Sequence, residues 1–312
     1  MLNYNQIIGQ SENIMESLAA ICNENHNLEQ ETSTMKSSTR ECKSSISLLS
    51  LTFAAALILT SSITSAEEQK GEKPQIDASD PTRIVTFIGL GPKYTQYVDN
   101  SNVKELQFSL TVGLGLKDMI MVEGGYGNQS ATKKYGMTTT DIRHFHLFKM
   151  DQVDKGYRGW GSAFQLNLAG TLPGTDGQNL LGLGATPAFA LGGGIDLYPV
   201  AMVMNSWDKG FGTYNGGGLN FSPMLSIKMD YWDGAFVNIW PQYTRFFWGN
   251  LGDLDAGGGQ LRLVTGGKFT PTLLWRALAF YPFDKNLRGY DYKGGFDPRG
   301  RQAYLFRIEQ YF

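Results

Sequence analysis

The chain has 312 residues, a formal net charge of −2 and 18% charged residues. That balance excludes a strongly basic nucleic-acid binder, and the 12% aromatic content excludes a charge-driven disordered chain. Of the 38 glycines all but Gly9 follow Ala66, whereas both cysteines, Cys22 and Cys42, precede it, so the later segment can form no disulfide and no Cys metal site.

Only one long apolar run occurs, residues 48–59, which is too short to be one of many helical spans. Lys36, Arg40 and Lys43 precede it, and Thr64 and Ala66 place small residues before a cleavage point. Residues 35–66 therefore read as a cleaved secretory signal peptide, not a membrane anchor. No Cys follows Ala66 to carry a lipid. Residues 1–34 hold five Glu and no Lys or Arg, unlike a signal n-region, so they read as an over-extended start with translation beginning at Met35. Peptide mapping that recovers residues 1–34 from the precursor would refute this. Residues 67–80 read as a polar periplasmic linker, and residues 81–312 as the folded domain.

Along that domain, twelve segments alternate apolar and polar residues with the period of a strand. They lie near 83–98, 104–116, 119–126, 138–150, 159–169, 179–190, 195–204, 218–232, 235–248, 258–267, 272–283 and 302–312. The clearest places Leu106, Phe108, Leu110, Val112 and Leu114 on one face and Glu105, Gln107, Ser109, Thr111 and Gly113 on the other. Connections at 127–137, 170–178, 205–217, 249–257 and 284–301 read as long and Gly-rich. Lys117-Asp118 and Asp233-Gly234 read as two-residue hairpin links, the latter suiting a type I′ turn. Segment 151–158 is long for a short turn, and 187–200 is broken by Pro and Gly, so ten to fourteen strands remain open.

Alternation alone also fits a soluble sandwich or a lipocalin-type barrel. Three features favour apolar residues outward, in lipid. Several strands carry charges and amides on the polar face, small residues recur there, and Trp160, Tyr231, Trp232, Trp248, Trp275 and Tyr281 bound the segments as aromatic girdles do. The predicted fold is an all-β, transmembrane, antiparallel up-and-down β-barrel of about twelve strands. The last strand alternates Tyr304, Phe306, Ile308 and terminal Phe312. It resembles the C-terminal signature of Gram-negative outer-membrane β-barrel proteins. That resemblance implies residence in the cell outer membrane and recognition of the strand by the barrel-assembly machinery. It covers the architecture of about 230 residues and identifies no subfamily.

His144 and His146 share a strand face, but no third His or Cys follows Ala66 to complete a zinc site. No His-x-Ser pattern suggests an acyl hydrolase. The Gly runs at 192–194, 216–218 and 257–259 lack the Lys-Ser/Thr of a phosphate loop. No catalytic residue, cofactor or metal ligand is therefore expected. Strand parity places Glu105, Glu123, Arg143, Lys149, Gln165, Asn167, Lys228, Asp230, Arg262, Arg276, Arg307 and Glu309 in the lumen. The leading functional reading is a passive pore or uptake channel for small solutes, with outer-membrane lipids around it and no nucleic-acid partner. A non-conducting structural or surface-interaction barrel is the alternative, and a lipid-modifying enzyme comes last.

Overall fold

The computed structural model describes residues 80, 82–97, 101–151, 153–172, 178–254, 256–282 and 302–312. The predicted signal peptide, the over-extended start, residues 67–79 of the predicted linker and all of the 284–301 loop lie outside them.

Period-two segments form strands in chain order: β1 Phe87–Gln96, β2 Asn102–Leu114, β3 Asp118–Gln129, β4 Lys134–Met137, β5 Thr140–Met150, β6 Gly156–Leu168 and β7 Gln178–Gly192. They continue as β8 Ile195–Asp208, β9 Tyr214–Lys228, β10 Phe236–Trp248, β11 Gly257–Lys268, β12 Leu273–Pro282 and β13 Gln302–Tyr311, with a one-turn helix α1, Gly249–Asp253, after β10. Every pairing is antiparallel. Sequential strands pair, except β4 with β5, and β1 pairs β13, so the sheet closes on itself. The short β4 and the longer β5 both pair the same edge of β3, at its two ends, and together make one stave. The result is a closed barrel of twelve staves.

The 187–200 stretch remains in the sheet. Gly192, Gly193 and Gly194 have φ of 91°, 61° and 76°, which turn β7 into β8 at little steric cost. The predicted link Lys117-Asp118 is instead the turn 115–117, because Asp118 already pairs Leu114 as the first residue of β3. The Asp233-Gly234 link belongs to a wider turn, 229–235. Only Gly234 has positive φ there, so it is not type I′. The strands also run into two predicted loops, leaving 209–213 between β8 and β9 and 130–133 between β3 and β4.

The outward face is apolar. Leu90, Leu106, Leu183, Leu219, Phe221 and Phe306 are all large, hydrophobic and exposed, which water would penalise and a bilayer solvates. Aromatic clusters band both ends. Phe148–Trp160 and Trp232–Trp275 lie toward the end that bears the C-terminus; Tyr126–Tyr135, Trp207–Tyr214 and Tyr281–Tyr304 lie toward the other. Two aromatic girdles flanking an apolar band mark a membrane-spanning barrel.

Closure requires the β1 and β13 backbones to approach without obstruction. A Cβ at Gly91 would lie 1.8 Å from the Phe306 carbonyl oxygen. Gly91→Val should therefore block β1–β13 pairing and abolish the compact species that migrates differently on gels before and after boiling. Normal heat-modifiable mobility of this variant would show that closure does not depend on that contact.

Candidate functional site

One wall of the lumen is held by an ion-pair chain. Arg307 on β13 donates to Glu123 on β3 at 2.7 Å and to Glu309 at 2.8 Å. Glu309 also accepts from Tyr311 Oη at 2.9 Å and pairs Arg276 of β12 at 3.1 Å. Arg143 on β5 pairs Asp141 closely and lies 3.8 Å from Glu123, while Gln165 of β6 donates to Asp141 at 3.1 Å. Between β13 and β3 stand β1 and β2, and their small side chains let the chain cross. In register, Glu309 opposes Gly89, Gly89 opposes Ser109, and Ser109 opposes Glu123. A Cβ at Gly89 would meet Arg307 Cδ at 2.9 Å, so glycine there makes room for the guanidinium. A second pair, Lys93–Glu105 at 2.6 Å, joins β1 to β2.

The adjoining stretch of wall differs. Trp240, Arg262 and Phe280 sit side by side on β10, β11 and β12, and the Arg262 guanidinium lies 4.7 Å from each ring centroid. Among the described residues no side chain or carbonyl accepts a hydrogen bond from Arg262. Its Nε and the Trp240 Nε1 are both buried without a partner. Next to this shelf, Gln260 donates to Gln242 at 2.7 Å and Asn220 to Thr244 at 2.7 Å. Shelf, amides and the Arg143 group line one cavity of about 330 Å³.

A third feature crosses the lumen. Asp80, seven residues before β1, is buried and accepts from Arg158 of β6 and from Tyr198 Oη of β8, at 2.8 and 2.9 Å. In the ring of staves β8 is the sixth from β1 in either direction, hence directly opposite it. Seven residues reach about 23 Å when extended. The segment preceding β1 is therefore a strap across the barrel at its C-terminal end, hooked on the far wall. Arg158 also lies 3.4 Å from Asp196. Burial alone would raise the Asp80 carboxyl, but hydrogen bonds from Thr82 and Arg158 and the Arg158 charge outweigh it, and its pKa falls below the ordinary 3.8.

Of the twelve side chains predicted from parity, Glu105, Glu123, Arg143, Gln165, Asn167, Arg262, Arg276, Arg307 and Glu309 lie inside the barrel. Lys228, the last residue of β9, is exposed at the rim. Two lie elsewhere. A bulge between Leu147 and Lys149 reverses the facing of β5, so Lys149 stands 68% exposed beside Asp151. Asp230 lies in the 229–235 turn because β9 ends at Lys228. Parity also missed interior groups. Asp141, two residues before Arg143, was legible on the same face. Arg158 was not, since it fell in the segment 151–158 read as a turn; β6 begins at Gly156, and a second bulge between Tyr157 and Gly159 turns Arg158 in while Trp160 faces out. His144 and His146 both contact Asp118 Oδ1, at 3.0 and 2.8 Å, on the outward face. Among the described residues no group of three or more His, Cys, Asp or Glu is arranged to hold a metal ion.

No protein-family profile matches the sequence, and no curated protein matches it. Solved structures do match. One is the COG4313 outer membrane channel from Pseudomonas putida F1, at TM-score 0.51 and 13% identity, covering 77% of this chain and 100% of that one. Another is the NanC porin, at TM-score 0.50 and 9% identity, covering 72% and 99%. This is the fold of an outer-membrane β-barrel. At these identities the likeness concerns the fold, and the barrel's chemistry must be read from its own lumen.

Arg307 and Glu309 are 2% and 0% exposed, so neither can find water if its partner is removed. Arg307→Met should leave Glu123 and Glu309 without their shared cation and destabilise the barrel by about 3–5 kcal/mol. The expected readout is a clear fall in the temperature at which the compact gel form is lost. An unchanged transition would mean the chain does not hold the wall.

Proposed function

We propose that the protein is a passive pore for small solutes in the outer membrane, with a narrow path that the strap constricts. The observation that carries this is the polar cavity inside a closed twelve-stave barrel. Cavity walls rich in amides and unpaired donors suit passing hydrated solutes; a purely structural core would be apolar. The charged side chains that line the cavity are Lys93, Arg143 and Arg262 against Glu105 and Asp141. The single positive excess supports a weak anion preference, fading as salt shortens the Debye length to about 3 Å at 1 M.

A non-conducting barrel is the second reading, and the buried ion-pair chain together with the hooked strap favours it. The two readings part on Asp80. In planar bilayers the wild-type protein should give small discrete current steps, and Asp80→Ala should enlarge them severalfold by releasing the strap. Silence from both, with correctly folded protein, would support the non-conducting reading.

Asp80 also sets a pH dependence. Because its carboxyl is depressed in the folded state, the hook's stabilisation is present above the ordinary carboxylate value of 3.8 and is lost as pH falls through the lower folded value. Wild-type conductance should therefore be flat from neutral pH to about 4 and rise only in stronger acid. Asp80→Ala should show no such acid rise. A step near pH 6 in the wild type would point to another group.

In this reading outer-membrane lipids surround the apolar band, and Tyr304, Phe306, Ile308 and Phe312 present the row that the assembly machinery would read.

A further inference from the structure

Among the described cations that line the cavity, Arg262 is the one with no carboxylate at ion-pair distance. Arg143, Arg276 and Arg307 each share a carboxylate, and Lys93 has Glu105. Arg262 instead is clamped between two aromatic faces, 4.7 Å from each. Such stacking holds a guanidinium flat but leaves its planar fork of donors unused. A buried charge with unspent donors is costly, and the usual resolution is an oppositely charged partner. Trp240 Nε1 beside it is a further donor with no acceptor. We infer that the cavity over the Arg262 shelf is a binding site for a small hydroxylated monocarboxylate.

Each part of that ligand class answers a feature of the wall. The cavity lining carries Lys93, Arg143 and Arg262 against Glu105 and Asp141, and that one surplus positive charge matches one negative charge; a doubly charged phosphate ester would leave the site negative. The planar carboxylate fits the guanidinium fork. Gln242, Gln260, Asn220 and Gln165 supply neutral donors and acceptors, which suit hydroxyl groups and give nothing to an alkyl chain. Phe145 and Met202 supply an apolar side for a carbon skeleton. Size follows from volume, since about 330 Å³ holds roughly eleven waters at about 30 Å³ each. A solute of about a dozen non-hydrogen atoms fills it. Passage requires binding favourable enough to enter and weak enough to release.

The inference rests on the pore reading only for how the solute arrives; occupancy of the site can be measured without conduction. Gluconate is the probe, with glucose lacking the carboxylate and propionate lacking the hydroxyls. Calorimetric titration of the full folded chain in detergent should show gluconate binding at least tenfold tighter than either control. Arg262→Gln should weaken gluconate at least tenfold while keeping heat-modifiable mobility. Should that variant fail to fold, Gln260→Leu provides the second test and should weaken gluconate without changing propionate. Gluconate binding no tighter than glucose, or unchanged in a folded Arg262→Gln protein, would overturn the site. Bilayers separate the two claims. Ion steps that gluconate does not interrupt, with no calorimetric binding, leave the pore and remove the site. Silent bilayers with Arg262-dependent gluconate binding leave the site and remove the pore.

Discussion

A β-sheet can stand in a bilayer only if no backbone donor or acceptor is left at an edge, because lipid offers nothing to replace a lost hydrogen bond. Here that demand falls on β1 and β13, the two ends of the strand order, whose pairing converts a ribbon into a ring. The same seam carries the interior ion pairs. Arg307 leaves β13, passes over Gly89 on β1, and reaches Glu123 on β3. Closure and lumen chemistry are thus coupled: a side chain on the inner face of β1 would obstruct both the backbone approach and the guanidinium.

Once the ring is closed, twelve staves leave an interior of intermediate width, too wide to be filled by side chains alone and narrower than the channel of a sixteen-strand porin. The protein divides that space. Toward the C-terminal end, aromatic and aliphatic side chains such as Phe87, Tyr198, Leu274 and Tyr311 are packed and buried, and the strap crosses among them. Above it the ion-pair chain binds one wall, and the remaining width becomes the amide-lined cavity. The strap hooks where the β7–β8 ladder is interrupted, since no register continues between Ala185↔Ala201 and Phe189↔Leu197. Pro187 and Pro199 lie in that interval, and proline has no N–H to give to a ladder. Tyr198 in the same interval turns its hydroxyl to Asp80.

The ring itself was legible in the chain because lipid and water impose opposite demands on alternate residues. Leu106 and Glu105 cannot exchange faces, so each such strand declares its register. What failed was local. The bulge of β5 inserts a residue, after which parity counts the wrong side, and Lys149 was thereby assigned inward; Arg158 was overlooked because 151–158 read as a turn, whereas β6 begins at Gly156 and its own bulge turns Arg158 inward. Asp230 was lost to a strand end, since its alternation continues past Lys228 although the ladder does not. Asp80 had no signal at all. A single acid at the end of a polar linker looks solvated, and only the ring's closure brings β8 opposite the start of β1. The Arg262 shelf was half visible: parity placed the cation inside but could not show that its neighbours were two aromatic rings and no carboxylate.

That last distinction decides what kind of interior this is. An arginine paired with glutamate inside a barrel is internally satisfied and contributes structure, as Arg307 does at 2.8 Å from Glu309. An arginine between Trp240 and Phe280 has its faces covered and its edge open. Both arrangements are buried, yet only the second leaves a positive charge for something outside the chain to neutralise. The ion-pair chain sharpens this effect, because it holds three of the carboxylates that might otherwise bend toward Arg262. Glu123 is held by Arg307 and Arg143, Glu309 by Arg307 and Arg276, and Asp141 by Arg143 and Gln165. The neutral ion-pair chain therefore leaves the adjoining Arg262 shelf cationic, and structure and selectivity draw on the same short supply of acids.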